Sequence, residues 1–566
     1  MTEDRRNFFL FVAIAALILL GWPLAQQKFF PTANPPASVI VKGKSKPVAN
    51  PAADPTADGP AATRDRKAVL AETPRVRIRT PRLAGSINLK GARIDDLVLV
   101  DYKETIAKDS APIRLLSPAG APEAYFVGFG WQGQGLNPPG ADTVWKASAP
   151  ELSPGHPVTL DAANATGQRF QIQLAVDDNY MFTVRQTVLN AGTAAVSVGS
   201  YGLVNRTGVS KDAATWQSHT GPMSVHGGSA DYSLKFKDVD AGAQHFDSNG
   251  GWLGFADKYW LTALVPDQGR GFDGQFRAGA NQAYQADATS TPVPLAPGKS
   301  VTQTSRFFAG AKEVKTLQAY EANGVPLFDK AIDWGWFEIV EKPIFRYLDW
   351  LFHLVGNFGV AIILLTLTIR ALMFPIAQRQ FASMATMRVL QPKMKAIQER
   401  YKDDKVKQQQ EVMALYKSEK ANPLAGCLPS VIQIPIFYAL YKVLMLSIEM
   451  RHQPFALWIK DLSAPDPLTP INLFGVLPFD PPGFLHLGVL AILLGITMYF
   501  QFKLNPAQGD PATQQVMGLM PWVMMFFFAP FAAGLQLYYV ASNCLTILQQ
   551  RWLYSRHPAL RAAPVK

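Results

Sequence analysis

Cysteine and charged residues are both scarce in this sequence of 566 residues, which has two Cys and 17% Asp, Glu, Lys and Arg. Soluble globular chains carry about 25% charged residues. Because 48% of the residues are hydrophobic, with 34 Phe and 12 Trp, the composition excludes a disordered or collagen-like chain and predicts a membrane protein with a substantial soluble part. Cys427 and Cys544 both lie in apolar runs, so a disulfide framework is excluded.

Motifs that carry catalysis or bind metals are missing as well. The sequence has no HExxH motif and no Ser/His pair suited to proteolysis at membrane depth. Its one partial phosphate loop is incomplete, because the glycine needed five residues before Gly43 is Ser38. The histidines are scattered without the spacing of metal ligands. The sequence therefore predicts a protein that is not an enzyme and that uses no cofactor.

The N-terminus, residues 1–30, is predicted to be a transmembrane anchor. Arg5 and Arg6 precede an apolar run over residues 8–24, which at about 1.5 Å per residue is just long enough to span the hydrocarbon. No small-residue cleavage site follows, so an uncleaved anchor is favoured over a signal peptide. The arginines place the N-terminus in the cytoplasm. The Pro- and Ala-rich residues 31–68 are predicted to be a linker on the outer side of the membrane.

Residues 69–330 are predicted to form a β-sandwich domain on the outer side of the membrane. Polar and apolar residues alternate in residues 75–79 (RVRIR) and 170–175 (FQIQLA), as half-buried strands require. Turn clusters such as residues 249–251 (NGG) recur between segments of this kind. Because the domain has no catalytic or metal constellation, it is predicted to be a binding or scaffolding module, and its sequence does not identify the ligand.

Residues 331–351 are predicted to form an amphipathic helix on the membrane surface. Apolar residues recur at helical spacing on one side, and charged residues gather on the other. The apolar side consists of Trp334, Phe337, Val340, Ile344, Leu348 and Leu351, and the polar side of Glu338, Lys342, Arg346 and Asp349. The position of this helix just before a predicted spanning segment favours the membrane interface. A helix packed on the β-sandwich is the alternative.

Residues 352–566 are predicted to contain five more spanning segments, which with the anchor make six transmembrane helices. They cover roughly residues 352–374, 424–446, 484–502, 517–531 and 532–548. A basic helical hairpin, residues 376–423, and a basic C-terminal tail are predicted to be cytoplasmic. Lys and Arg collect in these segments and are rare in the loop over residues 447–483, as expected of cytoplasmic and outer loops.

Polar residues within these apolar segments predict a wet pocket inside the bundle. Arg370 lies within a predicted helix, and Thr366 lies four residues earlier on the same face. Guanidinium and amide groups facing lipid would be costly, so they are predicted to line one pocket. The other members are Gln433, Gln536, Tyr539 and Asn543. Snorkelling of Arg370 to the headgroups is the alternative, and Lys442, near the outer end of its helix, is predicted to snorkel.

The fifth spanning helix, residues 517–531, is apolar, in contrast to the predicted polar pocket. Its length of about 22 Å is short of the roughly 30 Å hydrocarbon core, which predicts local thinning of the bilayer. It is rich in Met and Phe, among them Met520, Met524 and Phe527. Such side chains adapt to varied apolar partners. Simple contact with lipid is the alternative.

Five motifs carry a resemblance to a known family. They are residues 383–392 (SMATMRVLQP), 422–427 (NPLAGC), 433–437 (QIPIF), 454–462 (PFALWIKDL) and 534–543 (GLQLYYVASN). Through them the chain resembles the YidC family of bacterial inner-membrane protein insertases, in its Gram-negative form with a large periplasmic domain. The longer outer loop, with residues 478–483, departs from the family pattern.

The resemblance implies a polytopic α-helical membrane protein of six transmembrane helices, with a periplasmic β-supersandwich and a cytoplasmic helical hairpin. It implies that Arg370 faces a hydrophilic groove open to the cytoplasm and the lipid, with Thr366 and Tyr539 at positions of substrate contact. A nascent helix would slide along the third and fifth helices. The slide residues would be Pro435, Phe437, Met520, Met524 and Phe527.

The resemblance also implies a location and partners. The chain would be a multi-pass protein of the bacterial inner membrane, with both termini in the cytoplasm. Its partners would be nascent inner-membrane proteins, the SecYEG translocon with associated Sec subunits, the ribosome and membrane lipids, but not DNA. Two alternatives stay open: a chaperone that only assembles proteins inserted by Sec, and a small-solute or lipid transporter. The lack of acidic residues well inside the spanning segments weakens the transporter.

Overall fold

The computed structural model describes residues 64–210, 218–402, 404–419, 428–474, 476–477, 487–504 and 511–556. The predicted anchor, most of the predicted linker and the end of the basic tail lie outside the described residues. The chain divides into two compact units. The β unit comprises Asn50–Phe358 and Tyr438–Ala464, and the helical unit comprises Met1–Ala49, Gly359–Phe437 and Pro465–Lys566.

The larger of two sheets in the described part of the β unit has eleven strands. They are β1 (Arg75–Arg79), β2 (Leu83–Asn88), β3 (Arg93–Lys103), β4 (Pro112–Leu116), β5 (Tyr125–Gln132), β7 (Glu151–Leu152), β11 (Val196–Thr207), β14 (Gln244–Asn249), β17 (Gly271–Ala278), β18 (Ala283–Ser290) and β19 (Val293–Leu295). Their order is β14-β17-β18-β11-β5-β3-β2-β1-β7, with β19 beside β11 and β4 beside β3.

The second sheet has nine strands in the same part of the chain. They are β6 (Lys146–Ala147), β8 (Val158–Ala163), β9 (Gln168–Val176), β10 (Met181–Asn190), β12 (Gly221–His226), β13 (Ser229–Asp231), β15 (Trp252–Ala256), β16 (Trp260–Val265) and β20 (Ser300–Ala311). Their order is β13-β12-β15-β16-β20-β10-β9-β8-β6. The two sheets confirm the predicted β-rich domain.

The alternation of residue types along the strands determines which side of each strand is buried. In β1, Val76 and Ile78 are buried, whereas Arg77 and Arg79 are exposed. The same alternation of buried and exposed side chains runs along β9. A strand with this pattern covers a core with one face and meets water with the other.

Aromatic rings and buried hydrogen bonds join the two sheets face to face. Phe307 of β20 is 0% exposed, and its ring centroid lies 6.4 Å from that of Phe129 on β5. The side-chain amide of Gln186, on β10, donates a hydrogen bond of 2.7 Å to the backbone oxygen of Gly130 on β5. Because polar groups between the sheets are paired, the interior of the sandwich combines apolar packing with satisfied hydrogen bonds.

The β unit also contains helices α1 (Arg66–Ala71), α2 (Phe236–Ala241), α3 (Val314–Ala322) and α4 (Glu338–Val355). Helix α4 is the amphipathic segment, with Phe345, Leu348 and Leu351 on its buried side. It begins later than the predicted start at residue 331. Gly335 has a φ of +66°, which interrupts a right-handed helix at this point. Residues 335–337 form a separate 3₁₀ turn, and α4 begins after it.

The helical unit is described through seven helices: α5 (Phe358–Leu372), α6 (Phe374–Arg400), α7 (Lys405–Ser418), α8 (Leu428–Leu446), α9 (Val489–Leu504), α10 (Pro511–Phe528) and α11 (Ala533–Arg556). Helix α8 ends within the β unit. Helices α6 and α7 contact each other through an ion pair of 2.6 Å between Lys393 and Glu419, and through the Tyr416 hydroxyl and the Met394 sulfur.

The lengths and compositions of the described helices bear on membrane crossing. No single described helix is long and apolar enough to cross a membrane by itself. The segments Phe358–Leu372 and Phe374–Phe381 meet the criteria together, as a pair bent by 60°.

Replacing Phe307 by Ala is expected to lower the free energy of unfolding of the β unit by about 3–5 kcal/mol, because it leaves a cavity between the sheets. Tryptophan fluorescence of the purified full chain in detergent, followed against denaturant, measures this change. The matched control is Val144→Ala, since Val144 is 60% exposed and its truncation is expected to cost less than about 0.5 kcal/mol. Equal losses in both variants would contradict the face-to-face packing.

Candidate functional site

A polar cluster forms where α5, α8 and α11 meet within the helical unit. The Arg370 guanidinium of α5 donates a hydrogen bond of 2.5 Å to the Ser542 hydroxyl of α11. The Gln433 amide of α8 donates one of 2.6 Å to the Tyr538 hydroxyl, also on α11. Tyr538 and Ser542 are four residues apart and therefore share one face of α11. The name polar cluster is used below for Arg370, Gln433, Tyr538 and Ser542.

The positive charge of this cluster has no ionic partner in the part of the chain that the structure describes. Tyr538 and Ser542 are buried, and Arg370 is partly exposed. No described carboxylate lies within ion-pair distance of the Arg370 guanidinium. A guanidinium has several N–H donors in a fixed planar arrangement, which suits a carboxylate. The cluster can therefore bind an anionic group that reaches the partly exposed side of Arg370.

An aromatic cluster adjoins the polar cluster along α11. The ring centroid of Tyr539 lies 5.3 Å from that of Phe437 on α8 and 4.7 Å from that of Phe528 on α10. Phe437 and Phe528 are themselves 6.0 Å apart. Because Tyr538 and Tyr539 are consecutive, one turn of α11 contributes both to a polar and to an aromatic surface.

Three of the predicted pocket residues make hydrogen bonds elsewhere. The Thr366 hydroxyl donates to the backbone oxygen of Ile362 in its own helix, at 2.7 Å. The Gln536 amide donates to backbone oxygens at the end of α10 and in the following turn, the shortest bond being 2.8 Å. The Asn543 amide donates to the Thr497 hydroxyl of α9, at 3.1 Å. The structure therefore brings Gln433 to the cluster of Arg370 but gives these three side chains other partners.

The predicted slide residues lie mainly on outward surfaces of α8 and α10. Pro435 and Phe527 are exposed, and Met520 and Met524 are partly exposed. The inward face of α10 is different, since Met525 packs against Ala491 of α9. The described exposed apolar side chains of this surface are Ile434, Met517, Leu519, Trp522, Val523, Phe526 and Phe527. Helix α10 thus has one face packed on α9 and one unpacked apolar face.

Tyr538 and Ser542 are not among the predicted pocket residues, although the sequence contains a signal for them. The predicted polar stripe of α11 consists of Gln536, Tyr539 and Asn543. Tyr538 and Ser542 form a second polar stripe at a spacing of four residues. A helix with polar residues on more than one face contacts several neighbours, and only the packing identifies which stripe meets Arg370.

Comparison with known proteins gives the class of this chain. Residues 75–347 match the family model described as the YidC periplasmic domain, and residues 350–560 match that of the 60Kd inner membrane protein. The chain is thus an inner-membrane protein with a β-rich periplasmic-type domain and a helical C-terminal region.

Curated relatives give the family. A membrane protein insertase YidC of Zymomonas mobilis subsp. mobilis is 51% identical over 98% of this chain and 96% of the relative. One from Methylorubrum extorquens is 44% identical with the same coverage of both chains. A solved structure titled as an active YidC insertase matches 84% of this chain and 92% of its own, at 18% identity and a TM-score of 0.36. The chain belongs to the YidC family of membrane protein insertases.

This membership decides between the functional alternatives. The family is one of insertases and not of enzymes, as the sequence predicted. Neither the transporter nor the purely assembling chaperone finds support in the comparisons.

Replacing Tyr538 by Phe is expected to lower the free energy of unfolding by about 1–3 kcal/mol, because the Gln433 amide loses its acceptor. Tyr539→Phe is the matched control, since the Tyr539 hydroxyl has no hydrogen-bond partner among the described residues and its ring contacts are kept. Thermal unfolding of the purified chain in detergent compares the two. A larger loss in Tyr539→Phe would contradict the bond between Gln433 and Tyr538.

Proposed function

We propose that the chain receives nascent transmembrane segments in a hydrophilic groove lined by the polar cluster and releases them into the inner membrane. The observation that carries this proposal is the partly exposed Arg370 guanidinium, which has no described ionic partner and lies between helices with apolar outer surfaces. Thr366 and Tyr539 are proposed as further groove residues. The groove is proposed to open to the cytoplasm and the lipid and to be closed toward the periplasm.

The mechanism follows from the cost of moving polar groups through hydrocarbon. A charged residue at the centre of a membrane costs about 2.5–3.5 kcal/mol by insertion measurements. Arg370 attracts an acidic flank of the substrate into the groove, and the membrane potential contributes about 2.3 kcal/mol per charge at 100 mV to its outward passage. The apolar part of the substrate slides meanwhile along α8 and α10, where Pro435, Phe437, Met520, Met524 and Phe527 are the proposed contacts.

The proposed topology has six transmembrane helices in the bacterial inner membrane. Residues 1–30 form the anchor and residues 352–566 contribute five spans. Both termini and the hairpin over residues 376–423 are cytoplasmic, and the domain over residues 69–330 is periplasmic, tethered by the linker over residues 31–68. The asymmetry of Lys and Arg between the loops supports this orientation.

Helix α4 is proposed to lie at the periplasmic membrane surface. Several large apolar side chains of α4 and of the preceding turn are exposed, namely Trp336, Ile339, Trp350 and Leu354. Arg346 and His353 are exposed beside them. Tryptophan and leucine on one face of an amphipathic helix favour the boundary between headgroups and acyl chains. The predicted position at the membrane surface and the alternative, packing on the β-sandwich, are compatible, because one side of α4 is buried and the other carries exposed apolar side chains.

The proposed partners follow from surface charge and from the family. The basic hairpin and C-terminal tail carry the positive charge suited to ribosomal RNA or anionic lipid. The β unit is the proposed contact for SecYEG and associated Sec subunits. The chain acts on nascent inner-membrane proteins either alone or with this translocon.

Arg370→Ala is expected to slow insertion of a substrate with an acidic outer flank about tenfold, equivalent to about 1.4 kcal/mol. Protease protection of a purified one- or two-span substrate in proteoliposomes containing only this chain measures the rate. Arg370→Lys is expected to retain more activity, because it keeps the charge but loses the planar fork.

Two controls make this experiment specific. Arg551→Ala removes an exposed positive charge from α11 and is expected to leave insertion unchanged. A substrate with a neutral flank is expected to respond less to Arg370→Ala than the acidic one. Wild-type protection no higher than in empty liposomes would contradict autonomous insertion, and equal effects on both substrates would contradict the electrostatic role of Arg370.

A further inference from the structure

Glu341 occupies a core position on α4 without a hydrogen-bond partner. Its side chain is 0% exposed and lies on the buried side of the helix with Phe345 and Leu348. Among the described residues, neither carboxylate oxygen of Glu341 accepts a hydrogen bond. A buried carboxylate in this state costs several kcal/mol unless a charge compensates it. Such a group calls for a physical explanation.

Lys442 of α8 supplies the compensating charge. Its side chain is 3% exposed, and its ammonium nitrogen lies 4.0 Å from Oδ1 of Asp333. A Cβ atom added to Gly335 would lie 2.7 Å from the same nitrogen, so the ammonium packs directly over this glycine. The prediction that Lys442 snorkels toward water is therefore wrong, because the side chain turns inward to acidic partners on the turn before α4 and on α4.

Aromatic rings from α8, from the turn before α4 and from α4 pack beside Lys442 and Glu341, and both of these charged side chains are themselves buried. Tyr438, one turn before Lys442 on α8, has its ring centroid 6.5 Å from that of Trp336 and 6.1 Å from that of Phe337. The buried ring of Trp334 packs 6.0 Å from that of Phe345. Charges in such a poorly solvated region act on each other more strongly than at a surface.

The acid–base behaviour of Glu341 reflects these surroundings. Burial raises the pKa of the Glu341 carboxyl to about 7, Lys442 opposes that rise, and Asp333 and Glu338 add to it. Tyr438 of α8 faces the same carboxyl. Asp333 also interacts electrostatically with the nearby side chains of His219 and Tyr232. Burial lowers the pKa of the His219 imidazole, which is therefore neutral at neutral pH.

Stability alone does not account for this arrangement. Replacing a buried ion pair by apolar residues of similar volume is often neutral or stabilising, whereas removing one partner is strongly destabilising. In some proteins a buried polar or charged side chain fixes the register of packed helices. Helix α8, which Lys442 fixes, is the helix that also carries Gln433 of the polar cluster and Phe437 of the aromatic cluster.

We propose that Lys442, Glu341 and Asp333 are positioning residues that fix the docking of α8 on α4 and on the turn before it. This fixes the register of the α8 residues that line the substrate groove. The inference rests on the proposed function, since the groove is the site that is positioned. None of the three residues contacts the polar cluster, so their effect on insertion is indirect.

The direction of the pH dependence follows from the raised pKa of Glu341. The folded chain holds this proton more tightly than the unfolded chain, whose Glu pKa is about 4.3. The contribution of Glu341 to stability therefore falls as pH rises toward about 7 and is constant above that value. Removing Lys442 raises the pKa of Glu341 further. The stability of that variant therefore continues to fall with rising pH above about 7.

The test compares Lys442→Met, Glu341→Gln and the double variant over about pH 6 to 9 in the purified full chain. The unfolding temperature of Lys442→Met is expected to keep falling above about pH 7, while those of the wild type, Glu341→Gln and the double variant level off. The matched control is Lys315→Met. Lys315 also pairs with α4, through Asp349 at 2.8 Å, but is 68% exposed, so its loss is expected to have little effect.

Insertion in proteoliposomes, with equal pH on both sides, tests the positioning role. Lys442→Met is expected to insert several-fold more slowly than wild type at about pH 8 and to recover at about pH 6, where Glu341 is protonated. The double variant is expected to restore the rate to within about twofold at both values. A merely structural defect would slow insertion equally at both pH values.

Three outcomes would overturn the inference: equal rates for Lys442→Met and wild type, a loss independent of pH, or a double variant no better than Lys442→Met. If Lys442→Met does not fold, the double variant still decides, because it leaves no ionised carboxylate at position 341. If the wild type itself does not insert, the proposed function fails, and the unfolding profiles decide separately whether the charged residues dock α8 on α4.

Discussion

The hydrogen bond between the Arg370 guanidinium and the Ser542 hydroxyl ties α5 to α11, and the proposed groove depends on it. A guanidinium among apolar helices is costly unless its donors find acceptors. Helix α11 provides one at Ser542, and the neighbouring Tyr538 hydroxyl accepts from Gln433 of α8. These bonds join α5, α8 and α11 while leaving the positive charge without a described counter-ion. A groove that binds anionic flanks requires a cation of this kind, whose hydrogen-bond donors are partly used within the protein and whose charge no described carboxylate neutralises.

Helix α8 links two kinds of buried polar contact. Its first part bears Gln433 and Phe437, which meet α11, and its last part bears Lys442, which meets Asp333. In a helix the backbone hydrogen bonds hold successive turns in a fixed relation. The proposed positioning role of Lys442 rests on this continuity of α8.

Particular residues show how far the sequence predicts the fold and the site. The alternation in residues 75–79 identified a strand with Val76 and Ile78 inward, and the structure confirms this. The sequence predicts that Gln433 and Arg370 share a pocket, because polar groups inside apolar helices need polar partners. Both belong to the polar cluster. Thr366, Gln536 and Asn543 were selected by the same rule but bond to other groups. The rule predicts that a buried polar group is satisfied, not which partner satisfies it.

The sequence by itself determined the class of the chain, its β-rich and helical parts and the membership of a family of insertases. Composition, periodicity and local motifs carry this information, because each depends on neighbours along the chain. Only the tertiary structure decided that Tyr538 and Ser542 complete the site of Arg370, and that Lys442 turns inward to Asp333 over Gly335. These contacts join residues far apart in sequence, and the direction in which a long polar side chain extends depends on which partner the packed helices bring within reach.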